Sequence, residues 1–352
     1  TPRILRLLWQ FLRTLRCGTI SWLGGMGNSF SSGITATQFY IFGRRHFTAT
    51  GWEDARRKFI PGQLEAANLQ GKVFLVTGAN SGIGCEVSRY LASKGSTLYM
   101  VCRNAERGEA AQAQIQEATK SNSVHLLVGD CGLKRDMERI MIEFGQRENS
   151  LHGLVCNGGT LMHEKQMTEE GHEVTFATHL LNGAYLLTTL AMPYLRRAQD
   201  ARVVMVSSGG MYATPFPSWE EATSTRGKYD GTMAYAYAKR GQVLLCERFA
   251  QMYPDVKFVS CHPGWTSTPG VNEKLASTKS LLEPLRTVQQ GSDGISWLCM
   301  APFKDLESGA FYLDREPQRK HLSGPFFTEG SCTKNSHSEV SDLLRRMEQS
   351  CT

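Results

Sequence analysis

The sequence lacks the cysteine and histidine spacings from which metal centres are built. Its ten cysteines are scattered, with no Cys-x-x-Cys pair and no Cys/His pair at zinc spacing. Cys102, Cys156 and Cys299 stand in apolar runs, which is typical of small core residues. We therefore expect no metal site, and free thiols that suit a reducing intracellular compartment.

Long apolar runs and a basic stripe are lacking as well. No run of about eighteen apolar residues occurs, so no membrane-spanning helix is expected. The net charge of +6 is local, because residues 1–52 hold six arginines and no Lys, Asp or Glu. The rest of the chain has no basic stripe with interleaved aromatic residues, so nucleic acid is not an expected partner.

The first residues have the pattern of a basic amphipathic helix. Within residues 1–16 the leucines share one face and the arginines share the other. The pattern fits a peripheral membrane contact, a mitochondrial targeting peptide or a surface helix, so a cytoplasmic, membrane-associated or mitochondrial location stays open. Residues 17–51 are rich in Gly, Ser and Thr and are predicted to be a linker, so residues 1–51 form an N-terminal segment.

From residue 71 onward, strand-like apolar runs alternate with helical patterns. This alternation predicts an α/β fold, a Rossmann-like doubly wound parallel sheet of about seven strands with helices on both faces. The domain is predicted to span 52–330, and a polar C-terminal tail with one short helix follows over 331–352. The predicted strands are Val73–Val76, Thr97–Cys102, Val124–Val128, Leu151–Cys156, Arg202–Val206, Val256–Ser260 and Gly309–Leu313.

A glycine turn joins the first predicted strand to the first helix. Gly78 permits the sharp turn, Gly82 lets the backbone approach a pyrophosphate, and Gly84 lets the helix pack close to the strand. Phosphates bind well at a helix start, where N–H groups are free and the dipole favours negative charge. The turn therefore predicts a dinucleotide site formed by Gly78, Asn80, Ser81, Gly82, Ile83 and Gly84.

Polar residues follow several of the other strands. Arg103 suits the 2′-phosphate of NADP, where an acidic residue would favour NAD; a solvated surface arginine is the plainer interpretation. Asp130 follows the third strand and is placed to meet the adenine. Ser207 and Ser208 follow the fifth strand.

Tyr235 and Lys239 are four residues apart on a predicted helix and therefore share a face. An ammonium close to a phenol lowers the phenol pKa, which would let Tyr235 exchange a proton near neutral pH. Lys239 could also hold the nicotinamide ribose. Tyr237 is the competing candidate, but it points to another face of the helix.

Together these motifs resemble the short-chain dehydrogenase/reductase family over residues 70–315. The resemblance implies a nicotinamide-dependent oxidoreductase, a carbonyl reductase in type, with Ser208, Tyr235 and Lys239 as catalytic residues. Arg103 makes NADP(H) the predicted cofactor. It implies a substrate lid over 269–290 and, by analogy, a homodimer. It also implies that the cofactor is contacted by Asn157, Tyr235, Lys239, Pro263, Gly264 and Thr268.

The chain departs from the family pattern in two places. The family's Asn-Asn-Ala-Gly segment reads Cys156-Asn157-Gly158-Gly159 here, and Cys156 cannot make the paired hydrogen bonds of an amide. The family's catalytic Asn on the next helix, which holds a water of the proton relay, is not evident. That helix contains one extra residue, and His179 or Asn182 could take the place of the Asn.

Two functions remain open. The first is hydride transfer between NADP(H) and a carbonyl or alcohol, with an apolar substrate suggested by the leucines of the lid. The second is a catalytically impaired NADP-binding regulatory or scaffold protein on the same fold, which the two departures motivate.

Overall fold

The computed structural model describes residues 39–274, 279–323, 328–329 and 333–352, so the predicted helix over 1–16 lies outside the described residues. One eight-stranded sheet has the order β3-β2-β1-β4-β5-β6-β7-β8, and a separate two-stranded sheet pairs β9 with β10. The strands are β1 Val73–Thr77, β2 Thr97–Cys102, β3 Val124–Val128, β4 Gly153–Cys156, β5 Arg202–Val206, β6 Lys257–Cys261, β7 Phe311–Leu313, β8 Glu316–Gln318, β9 Leu322–Ser323 and β10 Thr328–Glu329.

The first seven strands of the large sheet are parallel, as expected for a doubly wound fold. The chain runs outward from β1 through β2 to β3 and then returns to place β4 on the other side of β1. The strand order therefore reverses between β1 and β4. Ligands of such sheets bind in the crevice at this point, outside the carboxyl ends of the strands.

The central strands are buried on both sides of the sheet. In β1, Val73 and Leu75 belong to the core on one face, and Phe74 and Val76 belong to the core on the other. This alternation follows from the twofold side-chain period of a strand. A near-continuous apolar run is what a parallel sheet covered on both faces requires.

Helices cover both faces of the sheet, which confirms the predicted layer arrangement. One face carries the helices Gly82–Ser93, Ala105–Thr119 and Val288–Met300. The other face carries Lys134–Gly145, Val174–Phe176 with its continuation through Ala177–Leu186 and Leu187–Leu195, Gly231–Met252 and His337–Cys351. Shorter helices are 39–46, Ala49–Arg56, Trp219–Ala222, Pro269–Lys274 and Lys279–Leu282, and short 3-10 turns cover Gly209–Tyr212 and Phe303–Asp305.

The eighth strand is absent from the sequence prediction. It forms because Asp314 and Arg315, with φ of 50° and 68°, make a two-residue hairpin turn between β7 and β8. Glycine or asparagine is the usual signal for such a turn. Here ion pairs hold both residues instead, Asp314 with Arg286 and Arg315 with Asp293.

Both ends of the described chain pack against the core. Residues 39–51 belong to the predicted linker, yet 39–46 are helical and a second helix spans Ala49–Arg56. Phe39 and Phe47 pack with Tyr212 and Phe311 in a third apolar cluster. The C-terminal helix buries Leu343 and Met347, which lie four residues apart on one face of an otherwise polar segment. Among the described helices, none is both long and apolar enough to cross a bilayer.

Candidate active site

The glycine turn lies at the carboxyl end of β1, at the reversal of strand order. Gly78 and Gly82 have φ of 65° and 53°, which L side chains rarely adopt. A Cβ added to Gly84 would lie 2.3 Å from the Gly78 carbonyl oxygen. The helix Gly82–Ser93 therefore starts close to the strand, and the Ser81 side chain does not cap its first N–H groups, which suits this helix start to a pyrophosphate.

Asn157, at the end of β4, binds the end of β1. Its Nδ2 donates to the Thr77 carbonyl oxygen at 3.0 Å. The Thr77 hydroxyl accepts from the backbone N–H of Asn157 at 3.0 Å and from that of Gly158 at 2.8 Å. Thr77 thus joins the two strands at the cofactor cradle, and sequence reasoning missed it, since its only signal was its place before Gly78.

Arg103 and Asp130 meet at the ends of β2 and β3. Arg103 Nη1 lies 3.5 Å from Asp130 Oδ2, and the Arg103 side chain is 75% exposed. An ion pair this exposed contributes little to stability, so the guanidinium is free to turn toward another anion. Asp130 is more constrained, because its Oδ1 accepts from the Gly132 N–H at 2.8 Å.

The helix Gly231–Met252 carries Tyr235 and Lys239 into the crevice. Asp230 caps this helix by accepting from the N–H groups of Thr232 and Met233. The Ser208 hydroxyl lies close enough to Tyr235 to lower the pKa of its phenol, and Lys239 Nζ lies 5.5 Å from the Tyr235 ring centroid. The structure therefore brings Ser208, after β5, near Tyr235 and Lys239 in the first half of this helix.

The two competing candidates lie elsewhere. The Ser207 hydroxyl is buried and donates to the Lys239 carbonyl oxygen at 2.8 Å, which fixes the helix to β5. Tyr237 is half-buried in the electrostatic surroundings of Glu221 and Asp230, on another side of the helix. The geometry thus favours Ser208 over Ser207 and Tyr235 over Tyr237.

The protonation of Tyr235 and Lys239 differs from the expectation. Burial raises the pKa of Tyr235, and the neighbouring Ser208 hydroxyl opposes that rise. Burial lowers the pKa of Lys239 to about 7. The expected lowering of the Tyr235 pKa by a charged lysine is therefore absent, because the buried lysine itself loses charge near neutral pH.

The extra residue in the helix after β4 is accommodated by a π-helix over Ala177–Leu186. His179 consequently faces the site, with its ring 5.2 Å from the Tyr235 ring in an edge-on arrangement. Its Nε2 lies 2.9 Å from Thr160 N and 2.6 Å from Thr160 O. Asn182 faces the cofactor loop after β3 instead, and its Nδ2 donates to the Gly132 carbonyl oxygen at 2.8 Å. His179, held neutral because burial lowers its pKa, thus takes the place next to Tyr235.

The predicted Pro263–Gly264 turn lies after β6 and is held by a residue that sequence reasoning missed. Gly264 has φ of 76°, and a Cβ there would lie 2.1 Å from Arg286 Nε. Arg286 is almost fully buried and donates to Asp314, to the His46 carbonyl oxygen at 2.7 Å and to the Phe47 carbonyl oxygen at 3.0 Å. It therefore joins the turn to the N-terminal helices.

Thr268 extends this turn toward the cofactor cradle. A Cβ added to Gly82 would lie 3.5 Å from Thr268 Cβ, so the two predicted cofactor residues face each other across the crevice. The lid segment contributes the helices Pro269–Lys274 and Lys279–Leu282, and Tyr40 of the N-terminal helix donates to the Leu281 carbonyl oxygen. In the described ranges no cluster of three His, Cys, Asp or Glu side chains could hold a metal ion.

Comparison with known proteins identifies the class. The sequence model of the short chain dehydrogenase family matches residues 72–220. Over 286 residues the chain is 39% identical to a Bos taurus relative, a match that covers 81% of this chain and 89% of that protein. The chain therefore belongs to the short-chain dehydrogenase/reductase family of oxidoreductases.

That relative is dehydrogenase/reductase SDR family member 12, and the Homo sapiens protein of the same name is 37% identical over 313 residues, or 88% of this chain and 96% of that one. In the sequence, the resemblance to dehydrogenase/reductase SDR family member 12 includes the stretches Val206–Met211 and His262–Trp265. Human retinol dehydrogenase 12 is 31% identical over 265 residues, which cover 73% of this chain and 83% of that protein.

Solved structures show the same fold. A short chain dehydrogenase of Escherichia coli CFT073 in complex with NADPH has a TM-score of 0.57 and 20% identity, and the match covers 70% of this chain and 98% of that chain. A short chain dehydrogenase of Salmonella enterica has a TM-score of 0.58 and 20% identity, and the match covers 73% of this chain and 100% of that chain.

Proposed function

We propose that the protein is an NADP(H)-dependent oxidoreductase that interconverts a carbonyl and an alcohol. The observation that carries this proposal is the convergence of Ser208, Tyr235 and Lys239 near the end of β5, with Lys239 Nζ 5.5 Å from the centroid of the Tyr235 ring. These three residues lie at the same edge of the sheet as the glycine turn. The bound nicotinamide supplies or takes up the hydride.

The residues have separate tasks in this proposal. Ser208 holds and polarises the substrate oxygen, and Tyr235 gives its hydroxyl proton to that oxygen in reduction and takes it back in oxidation. Lys239 holds the nicotinamide ribose and, once charged, favours the phenolate of Tyr235. The turn at Pro263–Gly264 and the Thr268 side chain hold the nicotinamide.

Two observations support NADP over NAD. The exposed Arg103 guanidinium stands at the end of β2, where it can pair with a 2′-phosphate, and its present partner Asp130 offers only a long contact of 3.5 Å. Structural neighbours of the same fold are complexes with NADPH and NADP, from Escherichia coli CFT073 and Shigella flexneri.

The substrate is proposed to be apolar, because the lid over 269–290 combines leucines with polar residues.

Several cysteines, among them Cys102, Cys156 and Cys246, are free and buried, which supports a reducing compartment. A homodimer and a peripheral membrane contact through residues 1–16 are further parts of the proposal. The competing function is an NADP-binding protein with little turnover. It is favoured by His179, which takes the place of the family's catalytic Asn next to Tyr235.

The test is NADPH oxidation by the purified chain with a panel of apolar ketones and aldehydes, beside Tyr235→Phe. We expect turnover in the wild type and a loss of at least about a hundredfold in Tyr235→Phe, since that change removes the proton donor. The NADPH Kd should change little, because the ring stays in place. Wild-type protein that binds NADPH without any turnover would make the binding-protein function the better one.

A further inference from the structure

Gln242 joins the candidate active site to the helix that carries His179. It lies three residues after Lys239 on the same helix and is fully buried. Its Oε1 accepts from Lys239 Nζ at 3.2 Å. Its Nε2 donates to the His179 carbonyl oxygen at 2.8 Å. The amide is therefore satisfied at both ends, and its orientation is set by the backbone of the π-helix.

Lys239 has a second acceptor within the protein, the Val206 carbonyl oxygen at 2.7 Å from Nζ. Two hydrogens of the amine are thus used by Val206 and Gln242. A neutral amine carries two hydrogens, and an ammonium carries three. A hydrogen remains for a ribose hydroxyl only when Lys239 is charged.

We propose that Gln242 is a positioning residue that fixes the direction of the Lys239 amine and leaves its third hydrogen for the ribose of the bound cofactor. This inference rests on the proposed function, because it assumes NADP(H) at the strand ends. Gln242 stands between Lys239 and the backbone of His179. A side-chain amide neither gains nor loses a proton near neutral pH, so this contact orients the lysine and passes no proton onward.

The charge of Lys239 is set by a small group of neighbours. Burial lowers its pKa to about 7, and the buried thiols of Cys261 and Cys156 oppose that fall. The titratable groups around it come from several elements, namely Tyr235, His179, His262, Cys156 and Cys261. NADPH affinity should therefore weaken as the pH rises and the ammonium loses its third hydrogen.

The experiment is the NADPH Kd of the full chain by fluorescence titration from about pH 6 to about pH 10, for the wild type, Gln242→Glu and Gln242→Leu. A carboxylate beside Lys239 favours the ammonium, so Gln242→Glu should move the alkaline loss of affinity upward by about 1–3 pH units. Gln242→Leu should weaken NADPH about tenfold near neutral pH and flatten the pH dependence, because the neutral amine regains a free hydrogen.

The matched control is Gln112→Leu. Gln112 also lies on a helix and donates its amide, to the Val124 carbonyl oxygen at 2.7 Å, but away from the site. Its Kd and pH profile should equal those of the wild type. If Gln242→Leu only lowers affinity equally at every pH, or if Gln242→Glu keeps the wild-type alkaline midpoint, Gln242 is structural and the inference is overturned.

A second readout needs no cofactor. Because the folded pKa of Lys239 lies below that of a free lysine, the unfolded chain binds more protons above about pH 7, and the folded state gains stability as the pH rises. Gln242→Glu should shrink this gain in the cofactor-free protein, measured as apparent Tm against pH. A wild-type protein that fails to bind NADPH would refute the proposed function. The stability profile would still test Gln242 in that case. An unchanged profile of apparent Tm against pH in Gln242→Glu would overturn the inference.

Discussion

Asp314→Asn should destabilise the protein strongly, because it leaves the buried Arg286 charge without its counter-ion. The pair is bidentate, with Arg286 Nη1 2.5 Å and Nη2 2.7 Å from the two carboxylate oxygens. Their side chains are 1% and 8% exposed. Asn keeps the shape of the side chain and tolerates the left-handed backbone at this position, so the change isolates the charge.

The magnitude follows from this burial. Removing one partner of a buried ion pair costs about 3–5 kcal/mol. Arg286 keeps its bonds to the His46 and Phe47 carbonyl oxygens, which places the expected loss near the lower end, about 3 kcal/mol. For a domain of this size, with an unfolding entropy of about 0.6 kcal/mol/K, that corresponds to a fall of roughly 5 °C in apparent Tm. The NADPH Kd should rise as well, because Arg286 packs against Gly264 of the turn proposed to hold the nicotinamide.

The assay is thermal unfolding of the wild type, Asp314→Asn and the control Asp255→Asn. Asp255 pairs with Arg196 at 2.7 Å, but these side chains are 44% and 59% exposed. The control should therefore cost at most about 1 kcal/mol. A double variant, Arg286→Met with Asp314→Asn, should cost clearly less than the sum of its single changes, since the two residues are coupled.

The reasoning would be refuted by an Asp314→Asn variant no less stable than Asp255→Asn. Additive single changes at Arg286 and Asp314 would refute it too. Either result would mean that the pair contributes no more than a surface pair. Arg286 would then not be what holds the N-terminal helices to the Pro263–Gly264 turn.

Three further changes test other parts of the structure. Arg103→Asp should lower the ratio of NADPH to NADH affinity at least about tenfold by removing the cation for a 2′-phosphate, and a variant that still prefers NADPH would defeat the assignment of NADP. Without added cofactor, the wild type should gain stability above about pH 7, because the pKa of the buried Lys239 is lowered, and Lys239→Met should remove that gain. An unchanged profile of apparent Tm against pH would contradict this. Met347→Ala should lower the free energy of unfolding in denaturant by about 2–5 kcal/mol, because this side chain is fully buried, and the NADPH Kd should stay unchanged. A loss below about 0.5 kcal/mol would show that the C-terminal helix is not part of the core.

Local chemistry made much of the fold predictable. The run Val73–Val76 and the glycines that follow it define a strand and a turn within a few residues, because apolar runs and positive φ are local properties. The strands at Thr97–Cys102, Val124–Val128 and Arg202–Val206 have the bounds that the apolar runs predict. The hairpin at Asp314 and Arg315 was not predictable, since its turn conformation is held by charges distant in sequence.

The sequence by itself determined the glycine cradle and the pairing of Tyr235 with Lys239, because a turn and an i, i+4 spacing need no distant partner. Only the tertiary structure decided that His179 faces Tyr235 while Asn182 faces Gly132, since the direction of each side chain depends on where the π-helix absorbs the extra residue. It also decided the roles of Arg286 and Gln242. Their partners come from other elements, and the charge of a buried lysine is set by desolvation, which exists only once the chain has folded.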